Sequence, residues 1–299
     1  MSQAVEDRGF TVSRSRKRWP WIVGAAVVVI AAVVITFVVV RAQSASAGSP
    51  FTSTLKVHFE PAMAGEEKII EYVNDEIAPD YGITLEAVGL QDSTQANRAV
   101  ADGTYAATIH QHQWWLKQVI DANGFEETPT EELFQWAFGV YSDRYASVEE
   151  IPDGATIAIP VDGANQAQAL WLLEREGLIG LDDSVEPRVA QVKDVADNPH
   201  NWIFKELDLL TLPRVLDSVD AAIGYVSQFD AGKVSRDRGI LFPQAPKTFA
   251  SQLVVGTKYL DDPNITALIE AFADPRLQEY LASTDDPLVA GVLTPVSDE

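Results

Sequence analysis

The four histidines are the side chains whose chemistry is easiest to place in this 299-residue sequence, because the chain contains no cysteine. His110 and His112 are separated by one residue, and an extended segment would put both imidazoles on the same side. His58 and Glu60 could complete a set of nitrogen and oxygen ligands for a metal ion. Each histidine could equally satisfy hydrogen bonds inside the fold. A metal-binding protein or sensor built on these histidines is therefore one hypothesis, and a site without metal is the other.

Catalytic motifs are missing from the sequence. It contains no G-x-S-x-G nucleophile elbow, no H-E-x-x-H zinc motif, no P-loop and no dinucleotide fingerprint. A cysteine nucleophile is impossible without cysteine. The sequence therefore predicts a protein that is not an enzyme.

A buried strand, a tight polar loop and a helix follow one another within Ile151–Ile179. The apolar run Ile157–Pro160 is the strand, and Gly177 is suited to the left-handed conformation at the helix end. Asn165 and Gln168 stand one helical turn apart and share a face. In an open α/β sheet such a loop lies at the carboxyl ends of the strands, where ligands bind. The sequence thus predicts a ligand site around these two amides.

Strands and helices alternate along most of the chain, which predicts an α/β fold with mainly parallel sheets covered by helices. Asp262-Pro263 and Asp274-Pro275 are expected to begin helices near the end of the chain. The expected strands are residues 56–59, 84–88, 106–109, 157–160, 221–224 and 251–257, and the expected helices include 66–77, 93–101 and 209–217.

The first part of the chain has the pattern of a membrane anchor. Residues 1–18 form a basic tail, residues 19–40 contain no charged residue, and residues 41–54 are rich in Ser, Ala and Gly. An uncharged run of this length can cross the bilayer, and the basic cluster before it predicts a cytoplasmic amino terminus. We therefore expect a single-pass protein of the cell membrane with a flexible stalk and an extracytoplasmic domain. A signal sequence cleaved near Ala45-Ser46-Ala47 is the alternative.

Charge is unevenly distributed along the chain. Residues 1–41 hold six of the 22 basic residues and two of the 44 acidic residues, so the remainder is strongly acidic. Nucleic acids and anionic membrane surfaces attract basic patches. The composition therefore predicts no nucleic-acid partner.

Several ordered sequence blocks resemble the NlpA/MetQ family of substrate-binding proteins of ABC importers. The resemblance extends from about Leu55 to about Tyr280. It is carried by ADGTYAATIHQHQWWL, FGVYS, IPDGATIAIP, NPHNW and, above all, ELDLLTLPRVLDSVDAAI. Family members are typically lipoproteins attached through a cysteine, which this chain does not have. The predicted span would replace that lipid.

The resemblance implies a two-lobed, periplasmic-binding-protein-like fold of type II that binds methionine or a related amino acid. Lobe 1 would comprise residues 55–138 and 248–299, and lobe 2 residues 139–247. The implied partners are an amino-acid-like small molecule, an ABC permease and its ATPase; no cofactor is implied. The alternatives are a metal-binding importer component or sensor, and a structural or signalling relative that has lost its ligand.

The resemblance also suggests which side chains bind the ligand, and where this chain departs from the family. Asn165 matches a family asparagine that holds the amino-acid backbone. Gln168 stands where the family has an arginine for the ligand carboxylate, and Gly224-Tyr225 where it has an asparagine for the amine. His110 or Arg144 could supply the missing cation, or the ligand could be cationic or amide-like. The expected ligand-binding residues are Asn165, Gln168, His110, His112, Trp115, Trp136, Phe138 and Tyr225.

Overall fold

The computed structural model describes residues 49–297. These residues form one compact unit. The predicted basic tail, the predicted span and residues 41–48 of the predicted stalk lie outside the described residues. Within residues 49–297, no helix combines the length and the hydrophobicity needed to cross a membrane.

The strands and helices alternate, as the sequence predicts. The strands are β1 Thr54–Phe59, β2 Thr84–Gly89, β3 Ala107–Thr108, β4 Glu127–Glu132, β5 Gln135–Trp136, β6 Phe138–Tyr141, β7 Thr156–Pro160, β8 Gly180–Leu181, β9 Val195–Asp197, β10 Ile203–Leu207, β11 Ala221–Tyr225, β12 Gly239–Leu241, β13 Gln252–Gly256 and β14 Leu293–Thr294. The α-helices are α1 Ala64–Tyr72, α2 Ser93–Asp102, α3 Gln113–Asn123, α4 Gly163–Arg175, α5 Val226–Ala231, α6 Pro263–Phe272 and α7 Pro275–Ser283.

Two five-stranded sheets organise the chain into two lobes. The first has the strand order β2-β1-β3-β13-β4 and the second has the order β10-β7-β11-β6-β12. The chain leaves the first sheet after β4 and returns to it with β13. The prediction of a two-lobed α/β fold is therefore confirmed.

Both sheets are mixed, whereas mainly parallel sheets were expected. In the first, β1 is parallel to β2 and β3, but β13 is antiparallel to β3 and β4. In the second, β7 is parallel to β10 and β11, but β6 is antiparallel to β11 and β12. The reason is that β6 and β13 follow a passage between the lobes, and no βαβ crossover fixes their direction. The strand β4 was missed altogether because its sequence, ETPTEE, is polar.

Aspartates fix the beginnings of several helices. The Asp162 carboxylate accepts the backbone N–H of Asn165 at the start of α4. Asp262 and Asp274 cap α6 and α7, each followed by proline at the first helical position. The prediction that these two Asp-Pro pairs begin helices is confirmed.

Local helix geometry differs from the sequence-based expectation in one of the expected helices. Residues Leu209–Ser218 form a 3₁₀-type segment with Pro213 inside it, because proline cannot supply the α-helical hydrogen bond.

Trp114 and Trp115 lie in the first turn of α3. Trp114 donates its indole N–H to Thr248 Oγ1 (2.8 Å), away from the residues that line the cleft between the lobes.

The described end of the predicted stalk packs against the first lobe. Phe51 is buried, and its ring lies edge-on to Tyr259 with 5.0 Å between the centroids. Ser49 hydrogen bonds to the Asp262 side chain. Ser49 and Phe51, at the end of the predicted stalk, therefore contact the first lobe.

Glu127, at the start of β4, is a buried carboxyl group. Neither of its oxygens has a hydrogen-bond partner in the described part of the chain. Burial raises the pKa of Glu127 to about 8. Because the folded state binds this proton more tightly than the unfolded chain, Glu127 lowers stability as the pH rises from the unfolded pKa towards 8.

We expect Glu127→Gln to raise the free energy of unfolding by about 1 kcal/mol at pH near 7, because an amide needs no proton to stay neutral. Near pH 4, where the glutamate is protonated in both states, the gain should disappear. Urea denaturation at the two pH values measures the difference. The neighbouring exposed Glu126→Gln is the control and should change neither value. A gain that is equal at both pH values would show that Glu127 does not titrate as described.

Candidate functional site: a cleft between the lobes

A cleft of about 460 Å³ is lined by residues of both lobes. All of its residues except Trp136 lie at or after the carboxyl ends of six parallel strands, which is where open α/β sheets bind ligands. Its volume suits a small molecule. From the first lobe come Glu60, Ala62, Met63, Gln91, Ser93, His110, Gln111, His112, Trp115 and Trp136, and from the second come Asp162, Asn165, Leu209, Leu210, Tyr225 and Gln228.

Tyr225 is the centre of a hydrogen-bonded cluster on the second lobe. Its hydroxyl lies 2.6 Å from Asn165 Oδ1 and 2.8 Å from Gln168 Oε1. One hydroxyl proton cannot serve two acceptors fully, so one amide turns its NH₂ group towards the tyrosine oxygen. Asn165 Nδ2 already donates to Asp162 (2.9 Å), which leaves Gln168 as that donor. The cluster fixes all three side chains to one another.

A chain of hydrogen bonds determines the tautomer of His110. The Leu90 carbonyl can only accept, so His58 donates to it from Nε2 (2.9 Å). His58 Nδ1 then accepts the Thr108 hydroxyl proton (2.8 Å), and Thr108 Oγ1 accepts from His110 Nδ1–H (2.6 Å). Burial, with smaller contributions from His58 and His112, holds the pKa of His110 well below its usual range. His110 is therefore neutral, and its Nε2 is a hydrogen-bond acceptor.

His112 has the opposite tautomer. It caps α3, where its Nδ1 accepts the backbone N–H of Trp115 (3.3 Å). Burial lowers the pKa of His112 to about 4, although the nearby Asn165 side chain opposes the decrease. The neutral ring carries its proton on Nε2. Nε2 of His110 and of His112, and Gln228 Oε1, are buried without a partner in the structure of residues 49–297.

Three carboxyl groups lie in or beside the cleft. Glu60 and Asp162 line it, and Glu66 is buried behind Glu60. Glu66 accepts hydrogen bonds from the Glu60 N–H (3.0 Å) and from Trp136 Nε1 (3.1 Å). Burial raises the pKa of each of the three carboxyls. Glu60 and Asp162 therefore give the cleft wall carboxyl oxygens, which accept hydrogen bonds in their ionised form.

No lysine or arginine is among the described residues that line the cleft. Arg144 binds Asp220 (2.7 Å) and the Asp217 carbonyl (3.1 Å) on the surface of the second lobe. His110 is neutral. The structure therefore gives no support to the suggestion that His110 or Arg144 replaces the missing cation.

Two of the expected ligand-binding residues do not line the cleft. Gln168 is buried beneath the Tyr225 hydroxyl. Phe138 packs edge-on against the Tyr225 ring (4.7 Å) and lines a second, smaller cavity of about 330 Å³. Six of the eight do line the cleft and come from both lobes: His110, His112, Trp115, Trp136, Asn165 and Tyr225.

Some residues of the cleft do not stand out in the sequence. Asp162 and Gln228 were not predicted, and Glu60 was considered only as a metal ligand. Their common signal is position, because each lies within a few residues of the carboxyl end of a parallel strand. That signal depends on knowing which strands are parallel.

The histidines do not form a metal site. Both ring nitrogens of His58 are engaged, by Thr108 and by the Leu90 carbonyl. Among residues 49–297 no group of three or more His, Asp or Glu side chains is placed to hold a metal ion. The metal-binding hypothesis built on His58, His110 and His112 is therefore not supported by the geometry.

Two α/β lobes that enclose a cleft with apolar walls and a few polar groups are typical of the substrate-binding proteins. The sequence model of the NlpA lipoprotein family matches residues 61–291, and the chain belongs to that family. Its members bind substrates and are not enzymes, which confirms the prediction from the missing catalytic motifs.

Individual relatives agree with this assignment. The D-methionine-binding lipoprotein MetQ of Escherichia coli K12 is 28% identical over 222 residues, covering 73% of this chain and 81% of the relative. Outer membrane lipoprotein 1 of Mannheimia haemolytica is 30% identical over 235 residues, covering 77% and 84%.

Solved structures are similar as well. A periplasmic substrate-binding protein of an ABC transporter from Coxiella burnetii has a TM-score of 0.70 at 26% identity, over 81% of this chain and 99% of that one. A nutrient-binding protein from Burkholderia cenocepacia bound to methionine has a TM-score of 0.68 at 27% identity, over 80% and 98%.

We expect Tyr225→Phe to lower the free energy of unfolding by about 1–2 kcal/mol, because it leaves the buried Gln168 amide without its partner. The double variant Tyr225→Phe/Gln168→Leu removes both polar groups and should recover part of that loss. Urea denaturation of the three proteins measures the effect. If Tyr225→Phe is as stable as the native chain, the cluster does not hold the side chains together.

Proposed function

We propose that this protein is the extracytoplasmic substrate-binding component of an ABC importer, which captures a small molecule between its lobes and presents it to a membrane permease. The observation that carries the proposal is the set of buried polar atoms at the cleft. His110 and His112 from the first lobe, and Gln228 from the second, each keep an atom without a partner in the described chain. Such atoms cost free energy until a partner is supplied.

Hinge closure is the proposed mechanism. The bodies that move are residues 55–138 with 248–299, and residues 139–247. A ligand that contacts both cleft walls binds the closed form better than the open form and shifts the population towards it. The permease, driven by its ATPase, would recognise the closed form.

Methionine, or a small molecule related to it, is the ligand that the relatives suggest. MetQ is named for D-methionine, and the Burkholderia protein is bound to methionine. The cleft offers apolar walls for such a side chain in Met63, Trp115 and Trp136. Asn165 is the proposed anchor for the polar end.

The membrane attachment is proposed to be the uncharged run of residues 19–40. The relatives are named lipoproteins, but this chain contains no cysteine to carry a lipid. The run has the length and composition of a membrane span, and the basic residues before it favour a cytoplasmic amino terminus. The binding domain would then stay at the outer face of the cell membrane.

We expect Asn165→Ala to weaken ligand binding about tenfold or more, because it removes a polar contact at the cleft. The test is a thermal-shift screen of amino acids and related metabolites, followed by calorimetric titration of the compound that stabilises the protein most. Asn123→Ala, at the exposed end of α3, is the control and should bind normally.

An unchanged affinity in Asn165→Ala would remove this residue from the site. If the screen gives no saturable binding by any compound, the protein is instead the structural or signalling relative that has lost its ligand. A stabilisation by metal ions that chelators reverse would favour the metal-binding alternative.

A further inference from the structure

We propose that the ligand presents an ammonium or amide N–H group beside an apolar side chain and carries no free carboxylate. This inference rests on the proposed function, because it names the chemical class that the same cleft takes.

The described residues that line the cleft include no lysine or arginine, which disfavours a ligand carboxylate. A free amino acid brings a carboxylate into the cleft, and proteins bind that group best with a fixed cation. Burial holds the pKa of His110 well below its usual range, and its Nδ1–H is donated to Thr108 Oγ1. A ligand carboxylate would instead lie close to Glu60 and Asp162.

The beginnings of helices could replace a cation in binding a carboxylate. Backbone N–H groups at a helix beginning can bind an anion. At α4 the Asp162 carboxylate already accepts the Asn165 N–H, and its own negative charge lies at that end. At α3, His112 Nδ1 accepts the N–H of Trp115. At each of these two helices, a side chain of the protein therefore uses one of the first backbone N–H groups.

The position of Tyr225 also disfavours a ligand carboxylate. Gln168 occupies the position that the family resemblance assigns to the carboxylate-binding arginine. Here its amide is hydrogen bonded to the Tyr225 hydroxyl (2.8 Å) and does not line the cleft. The two departures from the family pattern are thus one coupled change, in which a tyrosine and an amide satisfy each other.

The cleft presents hydrogen-bond acceptors to its ligand. Glu60 and Asp162 supply carboxyl oxygens, and His110 Nε2 supplies a lone pair. All of these accept hydrogen bonds, so the matching ligand group is an N–H donor. The rings of Trp115 and Trp136 favour a cationic group near their faces. His112 Nε2–H remains as a donor for an amide carbonyl of the ligand.

The test compares matched ligands by calorimetric titration of the purified full-length chain in detergent. L-methionine is compared with L-methioninamide and with the amine that remains when the carboxylate is removed. L-leucine and its corresponding amide and amine form a second set. We expect the amide or amine to bind about tenfold tighter than the acid, or more, in at least one set.

Two variants make the comparison specific. Glu60→Gln removes a carboxylate and should weaken amine binding about fivefold or more, while Glu76→Gln, on the exposed surface of the first lobe, should not. The double variant Tyr225→Asn/Gln168→Arg introduces the family residues and should reverse the preference towards the acid. Circular dichroism confirms that each variant is folded.

The outcomes separate this inference from the proposed function. If methionine and leucine each bind as tightly as the corresponding amide and amine, the inference is overturned and the importer assignment stands. If no member of either set binds and the wider metabolite screen is also negative, both fail. A preference for the amide or amine that Glu60→Gln abolishes supports both.

Discussion

Buried polar atoms without partners are the constraint on which this account depends. Hydrogen-bonding groups removed from water destabilise a protein unless something pairs with them. Here His110, His112 and Gln228 bring such atoms to a cleft at the carboxyl ends of parallel strands in both lobes. A ligand that supplies the partners gains more from the closed cleft than from either wall alone. Capture and closure then have the same physical origin.

The same scaffold can change its ligand by exchanging a few side chains. Tyr225 and Gln168 satisfy each other across the second lobe, so neither leaves an unpaired group when the family's cation is absent. On the first lobe, the hydrogen bonds from Leu90 through His58 and Thr108 orient His110 as an acceptor. The fold places the residues, and these two small networks decide which ligand groups they can meet.

The sequence predicts the local elements well and the site only in part. The strand, loop and helix around Asn165 follow from Pro160, from Asp162 as helix cap and from the left-handed Gly177, all of which act locally. The burial of Gln168 depends on Tyr225, which is 57 residues away.

Local sequence patterns could not predict other features of the structure. The tautomer of His110 depends on contacts that bring His58 to Thr108 across 50 residues. Strand β4 was hidden because a polar sequence can form a strand when its neighbour β13 is apolar and buried. The spacing of residues along the sequence does not indicate long-range packing of this kind.

Lobe closure is the event that most directly tests the account, and a chain without cysteine is well suited to measuring it. Spin labels at Gln95→Cys and Asp208→Cys would stand on exposed positions of the first and second lobes near the cleft. Pulsed electron–electron double resonance then gives the distance between them. The account predicts a shorter and narrower distance distribution when the stabilising ligand is added, and no change in the Asn165→Ala background at the same ligand concentration. A distribution that stays the same when the ligand is bound would contradict it.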